Sequence, residues 1–101
     1  MLTHIVWWTM KDNAGGRTAD ENIRLIRSQL EDLRGRIPSL KEIRLSTEIL
    51  PGSTEPASLV LVTRHDDAAG LAAYAEHPEH QKVAVLLKEA AASRRAIDFI
   101  E

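Results

Sequence analysis

Tyr74, His77 and His80 are the side chains best suited to chemistry in this sequence, and the segment that carries them, Tyr74-Ala75-Glu76-His77-Pro78-Glu79-His80, is broken by a proline. Proline lacks an N–H and has a fixed φ, so it suits the first position of a helix but not its interior. The residue before it, His77, is pushed out of helical geometry. One helix is therefore expected to end near Glu76 and another to start at Pro78, with Glu79 and His80 in its first turn. There the helix N-terminus disfavours imidazolium, and a neutral imidazole can accept a proton. A phenol at Tyr74 can supply or orient one, which makes Tyr74 and His80 a candidate acid–base pair.

The elements that must position this pair can be read from hydrophobic periodicity. Leu2 to Met10 alternates as a strand, with Leu2, His4, Val6, Trp8 and Met10 on one face and Thr3, Ile5, Trp7 and Thr9 on the other. Asn13-Ala14-Gly15-Gly16 reads as a loop, and Thr18 to Glu21 as a capping box. In the helix that follows, Ile23, Ile26, Leu30, Leu33 and Ile37 form one apolar stripe that Gly35 and Pro38 bring to an end. A second strand is expected from Lys41 to Leu50 and a third over Leu59–Thr63, with Asp66 or Asp67 capping the next helix. Val83, Leu86, Leu87 and Ala90 are the buried positions of the helix after Pro78, Lys88–Arg95 reads as its solvated end, and Ala96–Ile100 closes the chain as a strand.

Composition narrows the functional classes. With 101 residues, 44% hydrophobic and 28% charged, the chain is expected to form one α+β domain over 1–101. A net charge of −2 gives no reason to invoke nucleic acid or an anionic membrane, both of which favour basic patches. The absence of cysteine removes disulfides, thiolate nucleophiles and Cys-ligated metals, and no apolar run approaches the roughly 20 residues of a membrane span. A cytoplasmic location is expected, with no signal-like leader. No cofactor is implied: Gly15-Gly16 is not a phosphate loop, and His77-x-x-His80 has no evident third metal ligand.

The order β-α-β-β-α(α)-β is that of a ferredoxin-like antiparallel sheet with helices on one face. The other face would then be bare, exposing Ile5, Trp7, Val60 and Val62, with Glu42, Arg44, Ser46 and Glu48 as a polar rim. An apolar patch of that kind marks an interface, and a sheet-to-sheet homodimer covers it most simply.

Several segments resemble one family. They are Thr3-His4-Ile5-Val6-Trp7-Trp8, Arg36-Ile37-Pro38, Leu59–Thr63, the run from Leu71 through Tyr74-Ala75-Glu76-His77-Pro78-Glu79-His80 to Val83, and Ala96-Ile97-Asp98-Phe99. Together they resemble the stress-responsive A/B barrel (Dabb) family over nearly the whole chain. The resemblance implies a ferredoxin-like protomer whose sheet pairs with a partner's to close a dimeric α+β barrel. One plant branch of that family cyclises linear polyketides by an aldol reaction. Its tyrosine and second histidine match Tyr74 and His80, and the family's N-terminal strand histidine matches His4. The chain departs from that branch at Leu59, where a polar pocket residue stands, and at Ile26 and Arg27, where aromatics stand. His65 replaces the family's usual phenylalanine.

Two functional classes stay open on the sequence. In one, each protomer has an apolar pocket lined by His4, Val6, Trp8, Ile23, Ile26, Leu30, Ile43, Leu61, Tyr74, His80 and Val83. It would bind a carbonyl-bearing small molecule, with His80 as base and Tyr74 as donor to the oxyanion. In the other, these polar groups form an internal cluster in a dimer that binds a ligand or partner without chemistry. His77 is read as a helix-junction residue, and His65 as a surface residue at the strand end. His4 is expected to enter the pocket or to bond Tyr74 or the main chain.

Overall fold

A computed structural model describes residues 1–101. The elements run β1 (Leu2–Met10), β2 (Asn13–Ala14), β3 (Arg17–Thr18), α1 (Ala19–Glu31), β4 (Glu42–Ser46), β5 (Leu59–His65), α2 (Ala68–Glu76), α3 (Pro78–Ala90) and β6 (Ala91–Ile100). β4, β5, β1 and β6 form an antiparallel sheet in that order, the ferredoxin-like α+β arrangement expected from the element order. The three helices cover one face, where Val6, Ile26, Leu30, Ile43, Leu61, Tyr74 and Val83 belong to one buried core.

Local chemistry sets the element starts. Thr18 Oγ1 accepts from Glu21 N at 3.2 Å, and Thr18 N donates to Glu21 Oε1 at 3.1 Å, so the capping box holds the start of α1. Asp67, one of the two candidates, caps α2 by accepting from Gly70 N at 2.8 Å. The expected loop at residues 13–16 is instead a small hairpin of β2 and β3. Gly15 and Gly16 turn it with φ of 59° and 77°, a pair of values that favours glycine at both positions.

Three boundaries differ from the sequence reading. α1 ends at Glu31, before Gly35, although Leu33 and Ile37 remain buried in the turns that follow. β4 stops at Ser46, which pairs with Val60, because its partner β5 begins at Leu59 and only that one residue lies beyond the register. β6 begins at Ala91 rather than Ala96, so the basic run is not a solvated helix end. The free edge of β1 offers ladder partners from Leu2 to Met10, and β6 takes them all, with Arg94 opposite Trp8 and Arg95 opposite Trp7.

The face away from the helices carries Ile5, Trp7, Val60 and Val62, all only half-buried in the protomer. Register adds Ile97 opposite Ile5 and Phe99 opposite Thr3, exposed by 55% and 41%. The apolar area is therefore wider than the first two strands alone imply.

Candidate functional site

The helix junction forms as the proline demands. His77, with φ −62° and ψ 135°, ends α2 and caps α3, its Nδ1 accepting from Glu79 N at 3.1 Å. His80 then falls in the first turn of α3. Its Nδ1 lies 3.0 Å from Ala75 O, a carbonyl at the C-terminal end of α2 that also accepts from Gln81 Nε2 at 2.7 Å. A carbonyl can only accept, so Nδ1 carries the proton and Nε2 keeps a lone pair. Burial pushes the His80 pKa below the ordinary histidine value; the Ala75 bond opposes this, and the charges of His4 and Arg94 add to it. His80 is thus a neutral imidazole with a free basic nitrogen.

Tyr74 lies between two histidines. Its ring centroid is 4.5 Å from that of His80 and 5.0 Å from that of His65. Its hydroxyl is buried and has no hydrogen-bond partner. Desolvation raises its pKa to about 12, so the phenol keeps its proton at any working pH. An unpartnered buried donor is costly, and its presence asks for an acceptor that the protomer does not itself supply.

His4 and Asp98 are directly opposite in the β1–β6 ladder and share the helix-side face. The His4 Nδ1–H donates to the Asp98 carboxylate, so His4 bonds neither Tyr74 nor the main chain through that nitrogen. Asp98 was visible in the sequence as the one acid in an otherwise apolar closing strand, but nothing there showed its partner.

His65 is not a surface residue. β5 runs on to His65, and the alternation of the strand puts Leu61, Thr63 and His65 beneath the helices, where His65 is fully buried. Its Nδ1 donates to Ser39 O at 2.8 Å, and its Nε2 is 2.9 Å from Thr63 Oγ1, which leaves no free ring nitrogen. Burial depresses its pKa, against the pull of the Ser39 bond. It is a scaffold residue.

His4, Tyr74 and His80 line one cavity of about 360 Å³, together with Trp8, Leu30, Leu61 and Leu87. No hydrogen bond joins the three polar residues directly; they converge by sharing this space. Val6, Ile26, Ile43 and Val83, expected on its wall, are in the packed core instead, and half-buried Ile23 does not border it. The reason is position: the cavity opens between α3 and β6, at the edge of the sheet, rather than at the centre of the layer. Its mouth is formed by Lys88 and Ala91 to Arg94, which sequence reasoning assigned to a solvated helix end. No three His, Cys, Asp or Glu side chains gather as a metal site would require.

The profile of the stress responsive A/B barrel domain matches residues 2–101. The chain belongs to that family. Among solved structures, the Dabb chain is similar to a dimeric ferredoxin-like protein of unknown function from Jannaschia sp. CCS1, with 25% identity, 99% of this chain and 98% of the other covered, and a TM-score of 0.78. It is similar to a dimeric protein of unknown function with a ferredoxin-like fold from Bacteroides fragilis, with 24% identity, 99% and 95% covered, and a TM-score of 0.81. The hydroxynitrile lyase of Passiflora edulis has a TM-score of 0.82 at 16% identity over 99% of this chain and 92% of its own, a likeness of fold alone. No curated protein sequence matches significantly. The positions where this Dabb chain departs from the plant cyclase branch do not shape the cavity. Leu59 and Ile26 are buried core, and Arg27 lies outside, paired with Glu31 at 3.2 Å.

Proposed function

We propose that this Dabb protein is a cytoplasmic homodimer whose protomers each bind a small, largely apolar, carbonyl-bearing molecule and act on it by acid–base chemistry. The observations that carry this reading are the buried, unpartnered Tyr74 hydroxyl and the unbonded Nε2 of His80, on two rings whose centroids are 4.5 Å apart and which line the same largely apolar cavity. A volume of about 360 Å³ is within the range of small-molecule sites.

In this reading His80 Nε2 removes a proton from the carbon α to a carbonyl. The electron pair of the broken C–H bond moves into the enolate, and the Tyr74 hydroxyl donates a hydrogen bond to its oxygen. With a pKa of about 12, Tyr74 stabilises the oxyanion without giving up its proton. When a second carbonyl of the same molecule is in reach, the enolate carbon attacks it and the new alkoxide takes the proton back from His80. This is a redox-neutral aldol closure that needs no cofactor.

The dimer reading is supported by the open face. Ile5, Trp7, Val60 and Val62, widened by Ile97 and Phe99, form one apolar surface, and the Trp7 indole N–H is buried there without an acceptor. Similar solved structures from Jannaschia and Bacteroides are described as dimeric. Each large side chain covered contributes roughly 1.5–3 kcal/mol before the cost of association.

The chemistry is tested by exchange of the α-protons of 4-phenyl-2-butanone with solvent deuterium, followed by NMR. Wild-type protein should accelerate exchange, with a rate that rises as pH passes through a midpoint below about 6.5. His80→Ala should lower the rate by roughly 10²–10⁴-fold with the fold intact. Exchange no faster than buffer, together with no small molecule retained in native mass spectra of freshly purified protein, would leave only a non-catalytic dimer.

A further inference from the structure

His80, Ala84, Leu87 and Lys88 all border the cavity, a spacing that makes them one face of α3 running from the acid–base pair to the mouth, where Ala91 follows as the helix gives way to β6. At about 1.5 Å per residue, Lys88 stands ~12 Å further along that helix than His80. Across the opening, alternation on β6 turns Arg94 to the same side of the sheet as Trp8 and His4. The walls between are apolar, and no Asp or Glu borders the cavity.

The state of these two cations sets them apart. Of the 13 basic side chains, only Arg24, Lys88 and Arg94 make neither an ion pair nor a side-chain hydrogen bond. Two of those three meet at this one opening, in a chain whose net charge is −2. Elsewhere every basic side chain but Arg24 has a carboxylate or a neutral oxygen as partner; at the mouth two stand without one.

We infer that the molecule held in this cavity carries an oxyanion head group, a carboxylate or a phosphate monoester, bound at the mouth by Lys88 and Arg94. This rests on the cavity reading above and narrows it: the apolar, carbonyl-bearing part lies inward against Trp8, Leu30, Tyr74 and His80, and the acid lies outward. Arginine offers a planar fork to an oxyanion and lysine a point charge, so the two together accept either head group. Because the mouth is open to water, each cation contributes less than a buried pair would, about five- to tenfold in affinity. The preference for an anion weakens as salt is added.

Isothermal titration with octanoate, octyl phosphate and octanamide tests this on the intact protein. At least one anion should bind about tenfold or more tightly than octanamide, and the tighter of the two identifies the head group. R94Q and K88Q, both at exposed positions, should each reduce anion affinity about five- to tenfold and leave octanamide unchanged. Octanamide binding as tightly as both anions would overturn the head-group assignment while the cavity reading stood. So would an anion preference that survives R94Q and K88Q together. If none of the three probes binds, the cavity reading falls and the head group with it.

Discussion

Tyr74→Phe separates a hydroxyl kept for function from one kept for folding. The ring of Tyr74 is almost wholly buried, packed between His65 and His80, and phenylalanine retains all of that packing. Only the hydroxyl is lost. In most proteins a buried tyrosine hydroxyl is hydrogen-bonded, and its removal costs about 0.5–1.5 kcal/mol. Here it has no partner, so folding strips its water without replacing it, at a cost of about 1–3 kcal/mol that the substitution relieves. Cavity water that solvates the group reduces this gain towards zero. The expected outcome is unchanged stability or a gain of up to about 3 kcal/mol, with Tm rising by about 4–8 °C for each kcal/mol. Urea unfolding at a fixed protomer concentration measures it, because a dimer's stability depends on concentration. The same variant should lose much of the α-proton exchange activity, since the enolate oxygen has lost its donor. A variant both more stable and less active is the signature of a group retained for its function. A loss of 1 kcal/mol or more would show that the hydroxyl is anchored in the folded protein, and would refute the reasoning.

His65→Ala should do the opposite. It leaves Ser39 O and Thr63 Oγ1 unpaired and opens a cavity, so it should cost about 3 kcal/mol or more by urea unfolding; a cost under about 1 kcal/mol would contradict the scaffold role. Both His65 and His80 have pKa values lowered by folding, so the unfolded chain binds protons more readily than the native state as pH falls. Their contribution to stability is therefore full above about pH 6.5 and declines as pH drops below it; Tm measured from about pH 8 to pH 5 should fall, and the fall should be shallower in His80→Gln. Trp7→Glu or Val60→Asp places a charge on the apolar open face and should give a monomer, or insoluble protein, by size-exclusion chromatography with light scattering; a wild-type chain that is monomeric at micromolar concentration would remove the basis for the dimer.

The helix break at Pro78, the capping box at Thr18 and Glu21, the two faces of β1 and the element order were all legible in the sequence. Each depends on a residue's own backbone preference or on neighbours a few positions away. The motif around Tyr74 and His80 was legible for the same reason: the proline forces a junction, and the junction puts His80 at a helix start. Tertiary structure decided what pairs across long separations. His4 meets Asp98 only because β6 runs the full length of β1, and that length depended on a free strand edge rather than on any propensity in Ala91–Arg95. Burial of His65 required β5 to continue two residues past Thr63 and α2 to lie over it. The cavity followed from the same placement. Periodicity identifies the apolar face of each element, and Val6, Ile26, Ile43 and Val83 are indeed on such faces. It does not say where two layers fail to close. That gap lies between α3 and β6, and it turned a basic segment that reads as surface into the rim of the candidate site.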